Sequence, residues 1–407
     1  MKKSIPSIES KQGLLPWCAL ICLECLLGKL MKQTITLFTA FVLLLAPVSA
    51  GDEPVEPAIV LSLNGANTDP LAIDYETLPK IEGEHSVVCP ATEALQFQLH
   101  NYLIHCDGRY WCLFSHGPVV EDVPTQFVSY VVSDDGLKWS ESRPVTPIPA
   151  APYAYIARGL WLRNGEFLAL AAQFRGKGAF GVNKDLKLQA FVWDKDSNNW
   201  NFKGTLYQDA INNFAPQQMP SGEWLMTRRD SRFNVFMLAG GVKALDDWES
   251  FPVIKRSDVP NFSPDEPFWW RLPDGRLHAL FRDNGGSSRL YQSFSNDEGR
   301  TWSRPRLSNF PNASSKCYAL LLSSGARIMI SNANPKLARR ELYLSLSEDG
   351  LNFTKMAKLV IPSSKATTFQ YPHAIEHDGH LLIAFSQKKN QTEVLKVPLE
   401  AIESLRK

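Results

Sequence analysis

The chain has 407 residues and a formal net charge of +1, with 43 Lys and Arg set against 42 Asp and Glu. Such a balance excludes a protein that holds nucleic acid or an anionic membrane by charge alone. Enough chain lies beyond the N-terminal region for one large β domain or two smaller ones.

Residues 1–30, with Cys18, Cys22 and Cys25, fit no targeting scheme and read as an upstream extension, with Met31 as the start. Residues 31–50, MKQTITLFTAFVLLLAPVSA, carry a basic start, an apolar run from Leu37 to Leu45 and a small-residue end at Val48–Ala50. This is the pattern of a secretory signal peptide, and the apolar run is too short to span a bilayer. The expected product is a secreted or periplasmic chain of residues 51–407, one domain, monomeric and without membrane contact after cleavage. Its four cysteines, Cys89, Cys106, Cys112 and Cys317, are too few for a disulfide scaffold and lack CxxC pairs. Buried thiols, or one bridge among the first three, are expected, and neither a metal nor a cofactor.

From residue 100 onward one unit recurs: a β-type run, a tight turn with Gly, then a strongly apolar run. The turns fall at Gly108, Gly165, Gly222, Gly275, Gly325 and Gly379, at intervals of 50 to 57 residues. Asp-Gly, Asn-Gly and Ser-Gly between β runs are hairpin signals, because the turn needs a positive φ that Gly adopts cheaply. Six such hairpins predict an all-β fold, a six-bladed β-propeller with four-stranded antiparallel blades. A second signal follows the hairpins. Ser295–Trp302 reads SNDEGRTW, a full Asp box, with shorter versions at Ser133–Trp139 and Ser347–Phe353 and degenerate ones at Asp194–Trp200 and Asp246–Trp248. Their carboxylates should accept backbone N–H bonds within a turn, a structural task. The last unit is one strand short, and AIVLSL (58–63) is expected to complete it and so remove an exposed edge.

In such a ring the starts of the inner strands converge on one mouth of the central channel. The repeat places there His100, Asn101, Arg158, Gln217, Glu266, Tyr318, Tyr371 and His373. The ends of the second strands add His116, Arg175, Arg228, Arg229, Arg282, Arg339 and Arg340. Several guanidinium groups around one mouth suit a planar anion, which they bind bidentately.

The Asp boxes and the hairpin spacing resemble the sialidase superfamily over most of residues 86–407. The resemblance implies a glycoside hydrolase that removes a terminal sialic acid or related acidic sugar with retention. It implies Tyr371 as nucleophile, Glu266 as its base and Asp122 as acid. It also implies Arg282 and one of Arg339 and Arg340 as carboxylate ligands, and the mouth positions given by the repeat add Arg158, Asn101 and His373 as substrate contacts. A neutral Tyr suits an anomeric carbon that bears a carboxylate, since an anionic nucleophile would be repelled. Blade one departs from the family pattern. Where an arginine is expected, LQFQLHNYLIH offers His100 and Asn101, and the loop that follows offers His116, Glu121 and Asp122. A His there is also similar to propeller enzymes that cleave acidic polysaccharides, so a lyase or uronate-adjacent glycosidase acting through His100 is the alternative. A non-catalytic propeller that binds acidic glycans is the other.

Overall fold

The computed structural model describes residues 60–407 apart from Ala66 and Lys365. The extension assigned to 1–30, the signal peptide assigned to 31–50 and the first two residues of the strand expected at 58–63 lie outside the described residues.

Each Gly hairpin joins the first and second strands of a sheet. All six glycines are in the left-handed region, with φ between 69° and 95°. At Asp107-Gly108, Asn164-Gly165 and Asp378-Gly379 both central residues have positive φ, the geometry that matches the right-handed twist of paired strands. Six antiparallel sheets follow one another along the chain as blades of a β-propeller. Their innermost strands are Phe97–Cys106, Tyr153–Arg163, the split pair Ile211–Asn212 and Gln217–Gln218, Pro264–Arg271, Tyr318–Leu321 and Phe369–His377.

The Asp boxes sit between the third and fourth strands and are satisfied from within. Asp297 accepts from Ser295 Oγ (2.8 Å), the Thr301 amide (2.8 Å) and Thr301 Oγ1 (2.6 Å). Asp135 and Asp349 repeat the pattern with Ser133 and Ser347. Each box turn also packs on the preceding blade. A Cβ on Gly299 would meet Met237 and Leu225 of blade three at 3.0 and 3.1 Å, so only Gly lets the blades close up here. The degenerate boxes do the same with tryptophans: Trp200 lies 6.1 Å from Trp111 of blade one, and Trp248 lies 6.0 Å from Trp161 of blade two.

The closure differs from expectation. Blade six is completed by Glu84–Cys89, which pairs antiparallel with Gln391–Pro398. Val60–Leu61, from the segment expected to do this, instead runs parallel to Asn352–Phe353 on the outer edge of blade five, and Lys80–Ile81 adds to the same edge. Both segments carry a short apolar run, Ile59–Leu61 and Val87–Cys89, so the pattern alone does not choose between them. Position does, because 84–89 leads directly into blade one. All four described cysteines are free thiols, and Cys89, Cys112 and Cys317 are buried. No helix among the described residues is long and apolar enough to cross a membrane, and no cluster of His, Cys, Asp and Glu among them could hold a metal ion.

Candidate active site

Four of the six inner strands are bulged near their starts. The registers slip between Leu99 and Tyr102, Ala157 and Gly159, Asp265 and Phe268, and Gln370 and His373. A bulge re-aims the side chain it carries. The residues at these places are His100, Arg158, Glu266 and Tyr371. His100, Glu266 and Tyr371 have φ of 59°, 42° and 56°. Non-glycine residues in this region cost roughly 1–3 kcal/mol each and persist only where the surroundings hold them. In blade two the strain falls on Gly159, at φ 132°, where a Cβ would come within 2.9 Å of the Ala215 amide. Arg158 is thereby left unstrained beside it.

These residues meet at one end of the channel. Arg282 Nη1 donates to Glu266 Oε2 at 2.7 Å, and the Tyr371 hydroxyl hydrogen-bonds the same carboxyl group. Burial works against the Glu266 charge, but Arg282, Arg229 and Lys316 outweigh it and hold the carboxyl well below the usual range. Burial, with Glu266 and Glu121 nearby, drives the Tyr371 phenol well above its ordinary value. The His100 ring meets Tyr371 edge-on at 4.7 Å, with Nδ1 3.0 Å from Ser115 Oγ and Nε2 3.5 Å from Glu121 Oε1. Burial and the cations Arg158, Lys316, Lys389 and Arg229 push its pKa well down, so the ring is neutral at physiological pH. Glu121 also binds Lys389 from blade six. Burial and Glu121 raise Asp122 to about 7. Its Oδ1 is buried without a protein partner.

Arg158 keeps two of its three guanidinium nitrogens free, while its side chain also hydrogen-bonds Tyr102. It is 2% exposed, and its Nε and Nη1 have no protein partner. Arg229, by contrast, is tied to Asp265 and, at 3.4 Å, to Asn213 Oδ1. Burial lowers its pKa to about 10.

Four expected site residues are placed elsewhere in the ring or serve it from outside. Asn101 is committed to structure: its Nδ2 donates to the Tyr371 carbonyl and its Oδ1 accepts from Thr392. His373 lies below the bulge, accepting the Leu103 amide at 3.1 Å. Arg339 donates to the Ser314 carbonyl at 2.8 Å. Arg340 is exposed and lines a separate recess with Lys80, Lys358 and Phe369, so its assignment to the mouth is corrected. Gln217 and Tyr318 face the opposite end of the channel, because the inner strands of blades three and five begin later than those of the others.

Sequence reasoning missed the residues that occupy those two positions, Asn213 and Lys316. Lys316 is 2% exposed and donates to the Tyr102 hydroxyl and the Asn213 carbonyl, each at 3.1 Å. Its ammonium lies 4.2 to 5.2 Å from the rings of Phe214, Tyr102 and Tyr371. Burial, aided by Arg158 and Arg229, pulls its pKa well below that of a free lysine. The available signal was spacing: His100, Arg158, Asn213, Glu266, Lys316 and Tyr371 recur at intervals of 50 to 58 residues.

A family model for a BNR repeat-like domain matches residues 216–383. No curated protein matches the chain. Among solved structures, a protein of unknown function from Dyadobacter fermentans is 16% identical with a TM-score of 0.61, over 79% of this chain and 100% of that one. A sialidase is 17% identical with a TM-score of 0.58, over 84% of this chain but only 35% of that chain. Trypanosoma rangeli sialidase, solved with sialic acid, is 13% identical with a TM-score of 0.60, over 81% of this chain and 61% of that one.

Proposed function

We propose that this chain, an Asp-box six-bladed propeller whose residues 216–383 match a BNR repeat-like domain, is a glycoside hydrolase of the sialidase superfamily that removes a terminal acidic sugar. The observation that carries this reading is the hydrogen-bonded set of Tyr371, Glu266 and Arg282 beside Arg158, whose Nε and Nη1 have no protein partner. Arg158 and Arg282 hold the sugar carboxylate, the free guanidinium edge of Arg158 doing what a blade-one arginine does in the family. Each contact to a charged group is worth about 1.5–3 kcal/mol.

Tyr371 attacks the anomeric carbon and passes its proton to Glu266. The departing glycosidic oxygen takes a proton from Asp122, which the raised pKa keeps protonated up to about neutral pH. Water, deprotonated by Asp122, then attacks the same carbon, the Tyr371 oxygen leaves and recovers its proton from Glu266, and two displacements give retention. Glu266 is a weak base at rest and Tyr371 a weak acid. Proton transfer therefore has to accompany the growth of positive charge at the anomeric carbon, beside the tyrosine oxygen.

A lyase reading is favoured by one observation, the neutral His100 in contact with both Tyr371 and Glu121. His100 would take the proton next to a uronate carboxylate and Tyr371 would protonate the leaving oxygen, leaving an unsaturated sugar. One experiment separates the two. The purified protein is incubated with α-sialosides, uronides and acidic polysaccharides, and free sugar and ultraviolet absorbance are followed together. Free acidic sugar without absorbance supports the hydrolase, and absorbance supports the lyase. Absence of both from every substrate sinks the catalytic reading.

A further inference from the structure

The channel has a second chamber. At the end away from the Tyr371–Glu266 cluster, where the Gly hairpins and the blade-five Asp box lie, a cavity of about 650 Å³ opens between the inner strands. Tyr102 and Phe214 form its ceiling, with Lys316 stacked above them, and Phe268, Trp270 and Tyr318 form its sides. Its volume falls in the range of small-molecule sites, about 300–1,000 Å³, and an apolar wall with few polar groups is the usual composition.

The polar groups decide what it would hold. Arg327 lines the cavity at 8% exposure, with its guanidinium 5.1 Å from the centre of the Trp270 ring. Its side chain makes no ion pair or hydrogen bond among the described residues. Burial lowers its pKa to about 10, which leaves it charged at neutral pH. Two carboxylates are close by, yet both are engaged elsewhere. Glu348 is held by Arg406 through bonds of 2.8 and 2.7 Å. Asp349 accepts from Ser347 and the amides of Leu351 and Asn352. His373 uses Nδ1 to accept the Leu103 amide, so the assigned tautomer carries its proton on Nε2 and adds a donor to the wall. A buried arginine without a counter-ion is costly unless an anion reaches it.

We propose that this chamber is a second ligand site, taking a carboxylate carried on a six-membered ring. The carboxylate pairs with the Arg327 fork, and the ring lies against Phe268 and Tyr318. A uronate or other acidic sugar and an aromatic acid share this chemistry. The proposal does not rest on the hydrolase reading of the opposite mouth.

The test uses the full chain carrying Arg158→Gln, which disables the upper anion site. It is titrated calorimetrically with glucuronate, with 4-hydroxybenzoate and with the methyl ester of each. Saturable binding of at least one acid is expected, glucuronate alone marking a sugar site and benzoate alone an aromatic-acid site. Adding Arg327→Gln should weaken it about ten- to hundred-fold, the value of one contact to a charged group. Arg327→Lys keeps the charge and most of the volume but not the planar fork, so it serves if the Gln variant does not fold, and should weaken binding about ten-fold. Turnover on any substrate of the upper site should be unchanged in Arg327→Lys. Failure of both acids to bind, equal binding of the esters, or unweakened binding in the Arg327 variants would overturn the proposal.

Discussion

The two ends of this propeller carry the same residue types under opposite arrangements. At the lower rim, Asp135, Asp297 and Asp349 are acids whose hydrogen bonds come from within their own turn, at most four residues away. At the upper mouth, Glu266 in blade four is answered by Arg229 from blade three, Lys316 from blade five and Tyr371 from blade six, besides Arg282 of its own blade. The rim hairpins follow ordinary turn geometry, whereas the mouth is built on bulged strands with three non-glycine residues at positive φ. Locally satisfied carboxylates make a turn. Carboxylates satisfied across blades make a site whose geometry depends on the whole ring.

Substitutions at the two ends should therefore separate activity from stability. The largest effect is expected for Tyr371→Phe, which keeps the ring against His100 and Phe97 and removes only the hydroxyl. Turnover on an identified glycoside should fall by roughly 10⁴-fold or more with an unchanged Tm, as for loss of a nucleophile. Near-normal turnover would remove the mouth from the chemistry. Next is Asp122. Because burial raises it to about 7, kcat/KM should decline as pH rises through about 7, when the acid loses its proton. Asp122→Asn should lower the rate and abolish that alkaline limb, and a limb that persists would assign it to another group.

Lys316→Met should act on both properties at once. Taking away a buried cation with no carboxylate bonded to it should leave Tm unchanged or raise it. It should also let the Glu266 carboxyl climb, since Lys316 is one of the charges holding it down. The acid limb of the rate profile then moves to higher pH, and an unmoved limb would show that Lys316 only fills space. The smallest effect on catalysis is expected at the rim. Asp297→Ala forfeits three hydrogen bonds and should cost about 1–2 kcal/mol of stability while kcat stays the same. A loss of kcat as large as the Tyr371 variant's would erase the contrast between the two ends.

What could be read from the residues followed the same division. The hairpins and Asp boxes are local, set by Gly, Asn and Asp within a few positions, so blade number and box function were legible. Glu266, Arg282 and Tyr371 were legible because they stand next to strand starts that the hairpins fix. Lys316 was not, because blade five has a short inner strand and counting back from Gly325 lands on Tyr318 instead. Arg340 was misplaced for a similar reason: its loop winds through the turn Pro335–Leu337 before blade five resumes, and a stretch with no period gives no direction for a side chain. The choice between 58–63 and 84–89 as the closing strand was decided by pairing partners some three hundred residues away.

That closing strand bears on how the protein is made. Residues 84–89 are made some three hundred residues before their partner, Gln391–Pro398. Five blades can assemble in order behind them, each on the one before. The sixth cannot, and until it forms the ring is an open arc with an unpaired strand at each end. Native closure waits until residues 391–398 have been made, and during that wait a strand from another copy can take the same place. Slowed synthesis between residues 89 and 391 should lengthen that window, and the product to expect from it is a chain-swapped dimer in which each copy supplies the other's 84–89 strand.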